Sequence, residues 1–306
     1  VQRHLKGKAR MKNDSMKITS GQPRQEKIAT TTDIAKVRQL FDDMKWPLIS
    51  DEFNDFCTMI ANLESEAQKE LILKLSKQFY WITVNDYFCL FLKALDQMIS
   101  CKKKDVVDKL KIFIIPLMPN DNPNCVKSGQ FLYYIIKSNI VKLKERYEAY
   151  CDIYCVDSIL SIIESKKYSK WLCEKPDTFI CPVDDYTGSG RTILKCVRNL
   201  ESWGISKRKI SVILLVAQTQ GIKTCFDESI VVFSAKKLKK QISDFPNAEY
   251  NAGIMNEIEA SIEVPPQYHF GYGQSEALVK LEHTPNNTFP VYWYLGKRKR
   301  TVPFPR

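Results

Sequence analysis

Residues 179–192, FICPVDDYTGSGRT, constrain the fold of this 306-residue chain more than any other stretch. An apolar run rich in β-branched and aromatic side chains ends in two adjacent carboxylates and then in a Gly/Ser/Thr loop that opens a helix. Residues 179–183 have the character of a strand buried on both faces of a parallel sheet. Asp184 and Asp185 fall where such a strand leaves the sheet, the edge at which open α/β sheets bind ligands. Gly188 and Gly190 let the backbone turn tightly and approach a ligand. Ser189 and Thr192 offer hydroxyls beside free amides at the start of a helix over 193–203, a setting that suits a phosphate. Carboxylates do not bind phosphate, so their partners are sugar hydroxyls, which donate to them, or a divalent cation carried by the ligand. The acid pair and the anion cradle together point to one molecule with both a ribose and a phosphate.

At these positions the chain resembles the phosphoribosyltransferases, whose signature is an apolar strand, two acids, three variable residues and then Thr-Gly-x-Thr, with Ser tolerated first. Asp184, Asp185, Ser189, Gly190 and Thr192 fill those places. The resemblance implies that Asp184 and Asp185 hold the ribose 2′- and 3′-hydroxyls of phosphoribosyl pyrophosphate. It implies a 5′-phosphate loop over Gly188, Ser189, Gly190, Arg191 and Thr192, and Mg²⁺ bound through the ligand with no direct metal ligand on the protein. One departure is chemical: purine-salvage members often carry an acid just before the loop Thr, serving as base toward the nucleobase, and this chain has Gly188.

A second resemblance rests on residues 283–293, HTPNNTFPVYW, and on the PFPR ending at Arg306. Both are similar to the phosphoribosyltransferase-like proteins of bacterial conflict systems, often encoded beside the reverse transcriptase of type III retrons. That group tends to carry a strand and a Ser-Gly loop upstream of the acids, which implies a pyrophosphate loop at Lys127, Ser128 and Gly129 after a strand over 112–116. It also implies an effector of antiviral defence, with a reverse transcriptase and its RNA/DNA complex and a winged-helix companion protein as partners. Asn286 and Asn287 are either base or nucleotide contacts or an Asx turn stiffened by Pro285. His283 is either a general acid/base or a structural residue at a strand end.

The remaining pattern alternates strand and helix in the manner of a parallel sheet. Strands are expected over 111–117, 209–217, 229–235, 277–282 and 291–295, and helices over 129–147, 156–165 and 221–226, with a Pro265-Pro266 linker. Residues 32–109 are helical in pattern, with Asp33 as N-cap and with Phe53, Phe56, Ile60 and Leu63 on one stripe. The predicted class is an α/β phosphoribosyltransferase-like (type I) domain over 110–306, a parallel sheet flanked by helices, preceded by a helical region over 32–109.

Charge is uneven. Residues 1–40 hold ten Lys/Arg against three acids, a net of +7, which leaves +4 of the total +11 for the other 266 residues. Residues 1–31 lack periodic apolar positions and are read as a flexible basic arm, either a nucleic-acid contact through phosphates or a solvated tail. The ten cysteines are scattered without a CxxC pair and suit a reducing compartment. With three histidines and none near Cys151 and Cys155, a zinc site is not expected. No apolar segment approaches the roughly 18 residues of a membrane span, so the expected location is the cytoplasm, with no membrane partner. Three functional classes follow: a phosphoribosyltransferase-like enzyme or effector, a nucleotide sensor without turnover, and a scaffold that docks on a ribonucleoprotein.

Overall fold

The computed structural model describes residues 26–105, 108–118, 128–297 and 299–306. Helices α1 (Thr31–Met44), α2 (Asp51–Ala61) and α3 (Glu66–Ser76) precede strand β1 (Tyr80–Trp81) and the long helix α4 (Val84–Lys102). Alternation then follows through β2 (Leu110–Pro116), α5 (Ser128–Ser138), α6 (Ile140–Tyr147), β3 (Cys151–Cys155), α7 (Ile159–Glu164) and α8 (Lys166–Glu174). It continues with β4 (Thr178–Thr187), α9 (Arg191–Ser202), β5 (Ser211–Gln218), α10 (Thr219–Asp227) and β6 (Val231–Leu238), before α11 (Ala248–Ser261) and β7 (Val279–Lys280).

Five strands form one parallel sheet in the order β3-β2-β4-β5-β6. Helices α4, α5 and α6 pack on one face through Leu95, Leu132 and Leu143. The other face receives α7 to α10 through Ile162, Leu172, Val197 and Cys225. Burial on both faces explains the unbroken apolar run SVILLVAQ, all eight residues of which are buried. The chain is thus a mixed α/β protein with a central five-stranded parallel sheet flanked by helices and an N-terminal helical region. Within the sheet the chain order of strands is 2-1-3-4-5, so the direction of winding reverses between β2 and β4. A crevice opens at such a reversal, at the carboxyl ends of the two strands.

A second core lies outside the sheet. Phe41, Trp46, Phe56, Phe79, Tyr292 and Phe304 pack ring to ring, so the N-terminal helices share their interior with the last residues of the chain. The short parallel pair β1–β7 stitches the two together, with Tyr80 opposite Val279 and Trp81 opposite Lys280.

Several expectations from sequence are corrected. Thr30, not Asp33, is the N-cap of α1; Asp33 is the third helical residue and closes a capping box on Thr30. The expected helix over 129–147 is broken at Asn139 into α5 and α6. The expected strand over 291–295 is replaced by a 3-10 helix at Pro290–Tyr292, because Val291 and Tyr292 bury into the second core. Of the basic arm expected over 1–31, residues 1–25 lie outside the described residues. From Glu26 the chain is tied down: the Glu26 carboxylate accepts from the Thr301 amide and hydroxyl, at 2.6 Å each.

Candidate functional site

Strand β4 outlasts its neighbour. The last β2 partner is Pro116, opposite Val183, whereas β5 continues alongside Asp184, Tyr186 and Thr187. Asp184 and Asp185 therefore stand on a strand end paired on one side only, beside the reversal crevice. The turn to α5 crosses that crevice: Gly129 packs so closely that a Cβ there would lie 2.8 Å from the Val183 carbonyl. This close approach delivers the Ser128 hydroxyl to Asp184 Oδ1 at 2.6 Å, and the Asp185 amide donates to the same oxygen at 2.9 Å. From the α4 side, the fully buried Tyr87 hydroxyl donates to Asp185 Oδ2 at 3.2 Å and accepts the Glu282 N–H at 3.1 Å.

The acid pair is 8% and 5% exposed. Burial and then the adjacent Asp185 carboxylate push the Asp184 carboxyl well above the ordinary aspartate range, opposed by the Ser128 and Asp185 donors. Burial also raises Asp185, opposed in part by the Tyr87 hydroxyl. Two neighbouring carboxyls in a nearly dry site disfavour a full double charge, which is a common condition at functional sites.

Past Thr187 the chain turns through Gly188, Ser189 and Gly190 into α9. Gly190 is the N-cap with φ of 78°, a left-handed conformation that suits glycine. The first amides of α9 have no acceptor within the helix. Neither the Ser189 nor the Thr192 hydroxyl has a hydrogen-bond partner among the described residues, and Thr192 and Arg191 are exposed. Arg191 reaches Tyr272, its Nη1 donating to the phenol oxygen at 3.4 Å. Unpartnered hydroxyls, the exposed Arg191 and the first amides of α9 thus lie together at the helix start, where hydrogen-bond donors and the helix dipole suit an anion.

Gly188 needs its missing side chain for a different reason. Any Cβ there would overlap the side-chain amide of Asn287. Asn287 is itself buried and fixed, its Nδ2 donating to the Tyr272 carbonyl at 2.9 Å while its own carbonyl accepts from Ser275 Oγ at 2.9 Å. Asn286 meets the same segment through its carbonyl, which accepts the Tyr272 amide at 2.8 Å. The sequence TPNNT is thus a wedge under the loop. The space in which an acid at position 188 would act is filled by Asn287.

The structure brings Ser128, Gly129, Asp184, Asp185, the 188–192 loop, Asn286 and Asn287 to one end of the sheet. Lys127 lies outside the described residues. Sequence reasoning missed Tyr87 and Tyr272. A hydroxyl on the otherwise apolar stripe of α4 was the available signal for Tyr87; nothing local marks Tyr272. His283 is exposed and lies close enough to Asp185 to feel its charge. Among the described residues no cluster of three ligating side chains could hold a metal ion by itself, and no helix is long and apolar enough to cross a membrane.

A family model described as PRTase-CE matches residues 57–306. No curated protein matches the sequence. Among solved structures, a hypothetical protein from Neisseria gonorrhoeae with bound ppGpp is 15% identical, over 58% of this chain and 96% of that one, with a TM-score of 0.29. Nothing further follows from a likeness at that score.

Proposed function

The chain belongs to the PRTase-CE family, and from that premise we propose that it binds phosphoribosyl pyrophosphate, or a related nucleotide, at the carboxyl ends of β2 and β4. The observation that carries the reading is the acid pair's hydrogen bonding. Asp184 and Asp185 each accept one hydroxyl donor, from Ser128 and Tyr87, at 2.6 and 3.2 Å. A ribose diol presents two O–H donors of the same kind to the same two carboxylates. The free hydroxyls of Ser189 and Thr192 and the first amides of α9 would take the 5′-phosphate. Mg²⁺ would enter with the diphosphate, where it neutralises charge on the leaving group.

If the site turns over, the reaction is displacement of pyrophosphate at the anomeric carbon by an acceptor. Asp184 and Asp185 orient the sugar, the loop fixes its phosphate, and positioning supplies most of the acceleration. The buried Asn287 beside Gly188 favours a second reading, a nucleotide sensor without transfer chemistry, because no acidic base fits at that position. The role of effector in antiviral defence, with a reverse transcriptase and nucleic acid as partners, rests on the resemblance of residues 283–293 to conflict-system proteins.

Calorimetric titration with phosphoribosyl pyrophosphate and Mg²⁺ tests the core of the proposal. Binding to wild type that disappears in Asp184→Asn/Asp185→Asn is the expected result. Equal binding by both proteins would remove the acid pair from the site.

A further inference from the structure

We propose that the free edge of β3 is an interface for a second copy of this chain, the two β3 strands pairing antiparallel across a two-fold axis centred on Ile153. Strand β3 ends the five-stranded sheet. Its backbone phase is fixed by two bonds to β2: the Leu110 amide donates to the Tyr150 carbonyl at 3.0 Å, and the Val156 amide donates to the Ile114 carbonyl at 2.9 Å. Even-numbered residues of β3 therefore turn their N–H and C=O groups inward, and those of Cys151, Ile153 and Cys155 face outward. The opposite edge of the sheet is guarded. Strand β6 carries Lys236 and Lys237, with Lys239 and Lys240 just beyond it. Two of its carbonyls are also taken by side chains, that of Ser234 by Gln97 Nε2 at 3.3 Å and that of Lys236 by Ser234 Oγ at 2.6 Å. Lysines of that kind block edge-to-edge pairing, and CDIYC has none.

The surroundings of β3 suit a copy of themselves. Two adjoining troughs, of about 340 and 410 Å³, run along the edge and share Lys144 and Tyr154. Glu145, Glu148 and Asp152 line the trough at the amino end of the strand. Lys137 and Asp157 line the one at the carboxyl end and neutralise each other at 2.8 Å. Lys144, Glu145, Glu148 and Asp152 form no ion pair among the described residues. The amino end is thus acidic, and Lys144 is the open cation beside the carboxyl end. Antiparallel pairing lays the amino end of each β3 against the carboxyl end of the other, so the acids of one copy meet Lys144 of the second. A strand of uniform charge would be repelled at one end, whereas a second copy finds its opposite charge at both. Centring the pair on Ile153 also sets Asp152 across from Tyr154 and not across from its own copy. Val141, 66% exposed, lies one turn before Glu145 on the same stripe of α6 and faces the α6 of the second copy. The interface is the same patch on both chains, as a two-fold axis requires, and it joins two five-stranded sheets into one.

Sedimentation velocity and native mass spectrometry of the full chain test the interface, with Lys144→Glu and Glu148→Lys as variants. Both residues are exposed, and β3 lies two strands from the acid pair, so neither change should unfold the chain or disturb the site. Wild type should sediment at twice the 35.5 kDa of one chain. Either reversal alone sets like charges against each other in both halves of the interface and should weaken the dimer by about ten- to a hundredfold. The double variant should dimerise like wild type. Mixed in equal amounts, the two single variants should form the mixed dimer in preference to either pure one, because each reversed charge then faces its opposite. A role for these residues within one chain would produce neither rescue. A wild-type chain that stays monomeric up to about 100 µM overturns the proposal and leaves the edge to an extended segment of another protein. A dimer that withstands both reversals, or single variants that mix without preference, overturns it as well.

Discussion

Asp184→Asn keeps the hydrogen bonds that Asp184 accepts, because Ser128 and the Asp185 amide both donate to Oδ1. It also gives the neighbouring Asp185 carboxyl an N–H donor in place of a like charge. In the folded protein the Asp184 carboxyl is raised well above 3.8, by burial first and Asp185 second. A raised carboxyl contributes its full share of stability below the unfolded value and loses it as pH climbs through the folded value. Wild type therefore falls behind the variant by up to about 1.4 kcal/mol per pH unit across that interval, and the gap then levels off. A net advantage of about 1–2 kcal/mol for Asp184→Asn at pH 8 is in the range of other substitutions that relieve a functional site. It corresponds to roughly 1.5–3 °C in melting temperature for a 306-residue chain at about 2.1 cal/mol/K of unfolding entropy per residue. Calorimetric melts at pH 4.5, 6 and 8 should show the two proteins converging at acid pH and separating at alkaline pH, while ligand binding is lost in the variant. A variant less stable than wild type at pH 8, or a gap that ignores pH, would refute the account of the pair as a buried, repelling site.

Two further outcomes follow from contacts described above. Gly188→Ala forces a methyl into the Asn287 amide and should destabilise by about 1–3 kcal/mol. Asn287→Ala should cost about 1 kcal/mol through the lost Tyr272 bond, yet the double variant should lose at least about 0.5 kcal/mol less than the sum; additive urea midpoints would count against the wedge. Glu259 is fully buried, accepts the Phe270 amide on both oxygens, and is raised by burial from 4.5 to about 7. Its contribution is complete below pH 4.5 and is lost as pH rises through about 7, so Glu259→Gln should flatten the pH dependence of urea unfolding between pH 5 and 8, by at most about 3 kcal/mol. Parallel pH profiles for the two proteins would reject that role.

The acid pair and its loop were legible because their signal is local: a doubly buried strand is apolar throughout, and carboxylates at its end have few structural uses. Strands β2 and β5 were legible for the same reason. Strand β3, CDIYC, was not, since five residues at a sheet edge carry little pattern of their own. Helix α11 went unread because it buries Ile254, Met255, Ile258 and the acid Glu259 together, which blurs its amphipathic face. Within the site, Tyr87 and the contact between Asn287 and Gly188 escaped for one reason: each pair meets across about a hundred residues of chain, and no spacing rule spans that distance. The departure at Gly188 was visible as a missing acid; its cause, the amide that occupies the space, belongs to the tertiary structure alone.

The shared aromatic core has a consequence for synthesis. Ser76 at the end of α3 and Tyr292 hydrogen-bond to each other across 216 residues of sequence. At about 5–20 residues per second on the ribosome, the apolar faces of α1–α3 wait roughly 10–40 s for the rings that cover them. During that interval the five-stranded sheet has time to form first. A chain that stops short of Phe304 would lack the ring that packs on Phe56 and Phe79.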